Sequence, residues 1–229
     1  MYTVVIPTLW IPDSTKFKGL IEESVENSLV SKVIIIDNDP KVDESLKVFI
    51  LGNNPKIVHL RMKKNNYVNP AWNLGVSNSE TPYVILLNDD FFTDKGISSL
   101  IKVHFSHPSR EVGIYGINEQ CYSNYHGKES IEEMEDFSDE VTIVDGGFSL
   151  GWGCCIILPT KKYRKIPNNL KIWFGVNFLL CSWKSRKLPT FNFKNIKASR
   201  WSTTINSNPT ELNLIMEKDR EHCDKLPYK

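Results

Sequence analysis

The sequence has no basic excess, no paired-cysteine motif and no long apolar run, and each absence removes a class of function. Lys and Arg number 28 against 27 Asp and Glu, a net charge of +1. That balance gives no cationic field with which to release phosphate counterions, so broad nucleic-acid capture is excluded. The five cysteines (121, 154, 155, 181 and 223) are odd in number and contain no Cys-x-x-Cys. They predict a reduced, cytoplasmic protein, and the histidines do not fall at zinc-ligand spacing near them. No window approaches the roughly 18 apolar residues of a membrane span. Met1 to Pro7 lacks the basic region and apolar stretch of a signal peptide. The expectation is a chain with no transmembrane segment.

Nucleotide signatures are scarce as well. There is no glycine-rich loop ending in Lys-Ser/Thr and no Gly-x-Gly-x-x-Gly after the first strand, so nucleotide hydrolysis and dinucleotide redox chemistry lose support. Gly147-Phe148-Ser149-Leu150-Gly151 formally matches a nucleophile elbow. It lies late in the chain with no helical pattern after it, which argues against a serine hydrolase.

What is present is ample core material. Of 229 residues, 41% are hydrophobic and 11% aromatic, enough for one sizeable domain and too many for a disordered chain. Short apolar runs alternate with helical periodicity through the first half. Strands are expected at Tyr2 to Pro7, Val33 to Ile36, Lys56 to Arg61, Tyr83 to Leu87 and Val112 to Ile117. Between them, Phe17, Leu20, Ile21 and Val25, then Val42 to Leu51, then a segment opening at Asn69-Pro70, then Ile97, Leu100, Ile101 and His104 carry helical spacing. Asp13 and Ser14 are available as caps. The continuous β-branched run Val33-Ile34-Ile35-Ile36 is what a strand covered on both faces requires. The pattern βαβαβαβαβ predicts a doubly wound α/β sheet. In the second half, Val141 to Val144, Cys154 to Leu158 and Thr190 to Phe193 read as strands. Trp173 to Trp183 and Pro209 to Cys223 read as helices. Residues 129–140 carry seven acidic side chains, the pattern of a solvated face.

In such sheets ligands bind beyond the carboxyl ends of the strands. Three of those ends carry polar or aromatic groups: Pro7-Thr8-Leu9-Trp10, Asp37-Asn38-Asp39 and Asn88-Asp89-Asp90. They offer an aromatic platform, a polar edge and adjacent carboxylates. Carboxylates of that kind suit a divalent ion whose other positions go to water and substrate phosphates. They are equally what turns and helix caps use, since Asp and Asn favour both.

These segments, in this order, resemble the GT-A glycosyltransferases, especially the family-2 type that uses nucleotide-diphosphate sugars. The most specific piece is Asn73-Leu74-Gly75 followed by Tyr83 to Leu87 and Asn88-Asp89-Asp90, similar to the family's helix and the strand carrying its DxD-type motif. The resemblance implies a single GT-A-like domain, a mostly parallel Rossmann-like sheet flanked by helices. Residues 1–95 would form the nucleotide-binding half and 96–229 the acceptor side. It implies that Thr8, Trp10, Asp37 and Asn38 contact base and ribose, with Trp10 stacking on the base, and that Pro7 and Asn73 belong to the donor-binding set. Asp90 would ligate Mn²⁺ or Mg²⁺ at the donor's diphosphate, and Asp89 would contact the metal shell or the sugar.

Two departures stand out. Where the family carries its general base before a helix, this chain has Asn177, whose amide cannot accept a proton at neutral pH. Where the family carries a late histidine, it has Ser199 and Arg200, of which Arg200 could contact the phosphates. The sequence therefore leaves three readings: a glycosyltransferase using another carboxylate such as Asp145, a binder of nucleotide sugars or glycans without turnover, and a nucleotidyltransferase. The last lacks the N-terminal glycine-rich loop it would need. The partners expected are a nucleotide-diphosphate sugar and a glycan or other hydroxyl acceptor. The Lys/Arg-rich stretch from Lys161 to Arg200 could hold a diphosphate or an anionic acceptor.

Overall fold

A computed structural model describes residues 1–11, 13–117, 121, 140–145, 153–200 and 209–226. The first half alternates as the periodicity predicts: β1 (Tyr2–Thr8), α1 (Ser14–Glu26), β2 (Val30–Asp37), α2 (Glu44–Leu51), β3 (Ile57–Arg61), α3 (Val68–Ser77), β4 (Tyr83–Leu87), β5 (Phe91–Thr93), α4 (Gly96–Ser106) and β6 (Ile114–Ile117). The remainder supplies β7 (Thr142–Asp145), β8 (Cys155–Pro159), α5 (Gly175–Ser185), β9 (Thr190–Lys194), β10 (Ala198–Arg200) and α6 (Pro209–Asp224). The acidic run at 129–139 and the elbow-like Ser149 lie outside the described residues. Asp13 caps α1 by accepting from the Thr15 and Lys16 N–H groups, meeting donors that the first turn leaves unpaired.

Eight strands form one sheet in the order β3-β2-β1-β4-β8-β6-β9-β7. Side-chain alternation sorts the apolar residues into two cores. Val4, Ile6, Val33, Ile35 and Ile85 pack with Phe17, Leu20, Ile21, Leu100 and Ile101 of α1 and α4. Val5, Ile34, Ile36, Val84 and Leu86 pack with Ala71, Trp72, Leu179 and Trp183 of α3 and α5. The Val33–Ile36 run is unbroken because each of its residues has a helix-covered face to fill.

Strands β1 to β4 are mutually parallel. The run at β8 enters antiparallel to both β4 and β6, and β7 is antiparallel to β9. Apolar runs do not encode strand direction, so periodicity alone could not show this reversal. Its consequence is topological. The carboxyl ends of β1, β2, β4 and β6 share one edge of the sheet with the amino end of β8, where Cys155 pairs with Leu87. The carboxyl end of β7 points the opposite way.

Candidate active site

The three polar strand ends converge and are bonded to one another. Thr8 pairs with Asp37 in the β1–β2 register, and the Asn38 N–H donates to the Thr8 carbonyl at 2.9 Å. The Trp10 indole N–H donates to Asp37 Oδ1 at 2.8 Å, while the Trp10 backbone N–H donates to Thr8 Oγ1 at 2.8 Å. Asp89 closes the cluster from the end of β4, held by the Thr8 hydroxyl and the Leu9 N–H. Pro7 lies buried within β1 opposite Ile36.

Asp37 is fully buried. Besides Trp10, its carboxylate faces Lys47 Nζ at 2.8 Å and His59 Nε2 at 3.1 Å. Burial alone would raise its pKa, but the bonds from Lys47, Trp10 and His59 outweigh that and hold it below the usual carboxylate range. His59 is lowered as well: burial lowers it more than Asp37 raises it, so it favours the neutral form. Sequence reading missed Lys47 and His59. The available signal was Lys47 itself, a charge three residues before Ile50 on the buried stripe of α2, a place that demands a buried counter-charge.

Trp10 is 5% exposed and belongs to the core, edge-on to Phe17 and His59. Its φ of 61° is unusual for a bulky residue and turns the indole inward onto Asp37. Asn73 does not join the cluster. Its amide brackets the segment before α5, accepting from the Tyr163 hydroxyl and the Ile166 N–H and donating to the Ile166 carbonyl.

At the end of β4, burial pushes the Asp89 carboxyl up to about 6, against the pull of Thr8 and Leu9. Asp90 is partly exposed beside it, and Asn88 Oδ1 is buried without a hydrogen-bond partner. Among the described residues no three His, Cys, Asp or Glu side chains gather closely enough to hold a metal ion. The turn nevertheless offers hard oxygen donors, one of them orphaned. That set fits Mg²⁺ or Mn²⁺, which take one or two carboxylates and leave the remaining positions to substrate phosphates and water.

Two later segments reach the same turn. β5 pairs antiparallel with β10, so Arg200 stands opposite Phe91, immediately after Asp90. The Asn88 N–H donates to the Cys154 carbonyl at 2.9 Å, and a Cβ on the next residue back, Gly153, would lie 3.8 Å from Val176 Cγ2. The start of α5, with Asn177 partly exposed in its first turn, is thereby near the end of β4. Asp219 of α6, which sequence reading also missed, fixes the approach to α5. Its buried carboxylate accepts the N–H groups of Lys171, Ile172 and Trp173 at 2.8–3.0 Å. An acid in line with Leu212 and Ile215 on an otherwise polar helix was the signal for it.

Asp145 is placed elsewhere. It ends β7 opposite Phe191, near the start of β9, at the end of the sheet away from Asn88–Asp90. Four strand spacings of about 4.8 Å separate β7 from β4. That places it away from the candidate site.

The family model for glycosyl transferase family 2 matches residues 17–166. Among solved structures, S. aureus TarS 1–349 superposes with a TM-score of 0.58 at 13% identity, over 95% of this chain and 64% of that one. TarS 1–349 in complex with UDP gives 0.57 at 11% identity, over 100% and 67%. GalNAc-T7 with UDP, GalNAc and Mn²⁺ gives 0.59 at 10% identity, over 87% and 43%. At these identities the likeness shows a shared fold, and this chain spans from under half to about two thirds of those structures. No curated protein matches the sequence.

Proposed function

We propose, because this chain belongs to glycosyl transferase family 2, that it transfers a sugar from a nucleotide-diphosphate donor of the UDP type to a hydroxyl of a glycan or other acceptor. The observation that carries this reading is the bonded convergence of Thr8, Asp37, Asn38 and Asp89 at one sheet edge. The UDP-bound neighbours of the same fold support it. Asn38 and Thr8 would meet base and ribose, with Asp37 and Trp10 holding that edge rigid from behind. Asp90 and the orphaned Asn88 Oδ1 would hold Mn²⁺ or Mg²⁺, and Arg200 would approach the phosphates. A bound divalent ion supplies positive charge against the diphosphate that departs. Asp89, raised toward neutrality by burial, would gain its charge fully beside such a cation.

One observation favours a second reading within the same family. Asn177 stands at the start of α5; if this is the position of the proton acceptor that an inverting transferase needs, its amide cannot serve. A protein built this way can bind donor and acceptor without turnover. Thermal unfolding with UDP, GDP and CDP, with and without Mn²⁺, tests the common premise. The expected result is a metal-dependent rise in Tm with UDP that is lost in Asp90→Ala. No stabilisation by any nucleoside diphosphate would refute both readings. Release of UDP from a panel of UDP-sugars then separates enzyme from binder.

A further inference from the structure

Away from the strand ends, the outer face of α3 and the segment that Asn73 brackets enclose an open cavity of about 740 Å³, within the range of small-ligand sites. Its lining holds Lys64, Lys165 and Lys171, with Tyr67, Tyr163 and the amide of Asn168, and contains no Asp or Glu. None of the three ammonium groups has a carboxylate within ion-pair distance among the described residues. In a chain of net charge +1, this concentration of one sign is a local feature.

The backbone adds a second, independent observation. Tyr67 has φ 61° and ψ 171°, a region nearly reserved for glycine and costing about 1–3 kcal/mol for other residues. Such outliers cluster at ligand clamps. Here the strained residue lines the cavity and holds its ring 4.7 Å from the Lys171 ammonium, so an aromatic wall and a cation stand side by side. The cavity also adjoins the candidate active site at both ends. Asn66 lines it and donates its N–H to Asn38 Oδ1 at 3.2 Å. Lys171 opens the Asp219-clamped turn that leads to α5.

We infer that this cavity binds an anionic glycan segment, a sugar chain carrying phosphate or carboxylate groups, separately from the nucleotide site. Lysines serve as point charges for either anion, and the tyrosine rings offer apolar faces to the sugar. Calling the carrier a glycan rests on the glycosyl-transfer reading; the anion site itself does not.

The test measures binding to the full chain of inorganic tripolyphosphate, of a trigalacturonate and of neutral maltotriose, by calorimetry at low and high NaCl. The two anionic probes distinguish phosphate from carboxylate as the preferred source. At least one should bind about tenfold or more tighter than maltotriose and weaken as salt screens the lysines. The Lys64→Gln/Lys165→Gln double substitution, at exposed positions, should reduce that affinity by a further tenfold or more while leaving Tm and the UDP-induced shift unchanged. Equal binding of all three probes, or anion binding that survives the double substitution, would overturn the proposal. Anion binding that responds to the substitution in a protein that UDP never stabilises would sink the glycosyl-transfer reading and leave the site standing.

Discussion

At the scale of single residues, the candidate site is organised by a carboxylate that is not free to act. Asp37 spends both oxygens on Trp10, Lys47, His59 and the Asp39 N–H, and it and Lys47 are almost wholly buried. Removing one member of a buried pair leaves the other uncompensated, at about 3–5 kcal/mol. Asp37→Asn should therefore lower stability at pH 7 by that order, read from urea midpoints. The sign of the pH dependence follows from two lowered pKa values. Asp37 is held below its unfolded value of about 3.9, so its contribution is complete above that pH and lost as pH falls through the folded value. His59 is lowered from about 6.5. The unfolded chain takes up that proton first, and stability declines as pH falls through that region. Wild type should thus weaken steadily on acidification from about pH 6.5, and the deficit of Asp37→Asn should narrow below about pH 4. A deficit that stays constant down to pH 3 would show that the cost does not come from the ionised carboxylate. In the sequence Asp37 reads as part of a polar strand end, and the family resemblance implies that it contacts base and ribose. What the sequence could not display was the burial of Lys47 beside it, a tertiary fact set by how α2 lies on the sheet.

At the scale of elements, the helix motif Asn73-Leu74-Gly75 was legible in sequence and the structure gives its physical content. A Cβ on Gly75 would lie 2.1 Å from Val5 Cγ1, so α3 sits directly on β1, the strand that delivers Thr8. Asn73, two residues earlier, fastens the other side of α3 to the chain before α5. Gly75→Ala should cost about 1–3 kcal/mol through forced repacking, measured as a lower urea midpoint with an unchanged m-value. An unchanged midpoint would mean that α3 can shift without penalty. Strands such as Val33 to Ile36 were legible because burial on both faces leaves an unbroken apolar run. The pair β5 and β10 was not, since three-residue strands cannot display a period. It is this pair that sets Arg200 opposite Phe91, so one of the connections that assembles the site was invisible to patterning. Gly175 works as Gly75 does: a Cβ there would strike Asn69 Oδ1 at 2.2 Å, which makes the close start of α5 depend on glycine.

At the scale of the whole molecule, strand direction decides which groups can cooperate. The reversal of β8 sets its amino end at the edge where Asn88 meets Cys154. The antiparallel course of β7 takes Asp145 to the other end of the sheet. The scaffold gathers Thr8, Asp37 and Asp89 at one edge, while α6 braces the turn before α5 through Asp219. At the start of α5, position 177 carries an amide, which cannot accept a proton. If this position is the one that faces the acceptor hydroxyl, a carboxylate should restore the missing step, and general-base catalysis contributes about 10²- to 10⁴-fold. Asn177→Asp, assayed by UDP release from the donor that best stabilises the protein, should raise turnover within that range without altering the UDP-induced rise in Tm. The new activity should rise with pH as the introduced carboxylate ionises. Turnover that is already high in wild type and falls in the variant would show that the proton leaves by another route and that Asn177 orients substrate as an amide. Equal, negligible turnover in both, with UDP still bound, would establish the binder reading over the enzymatic one.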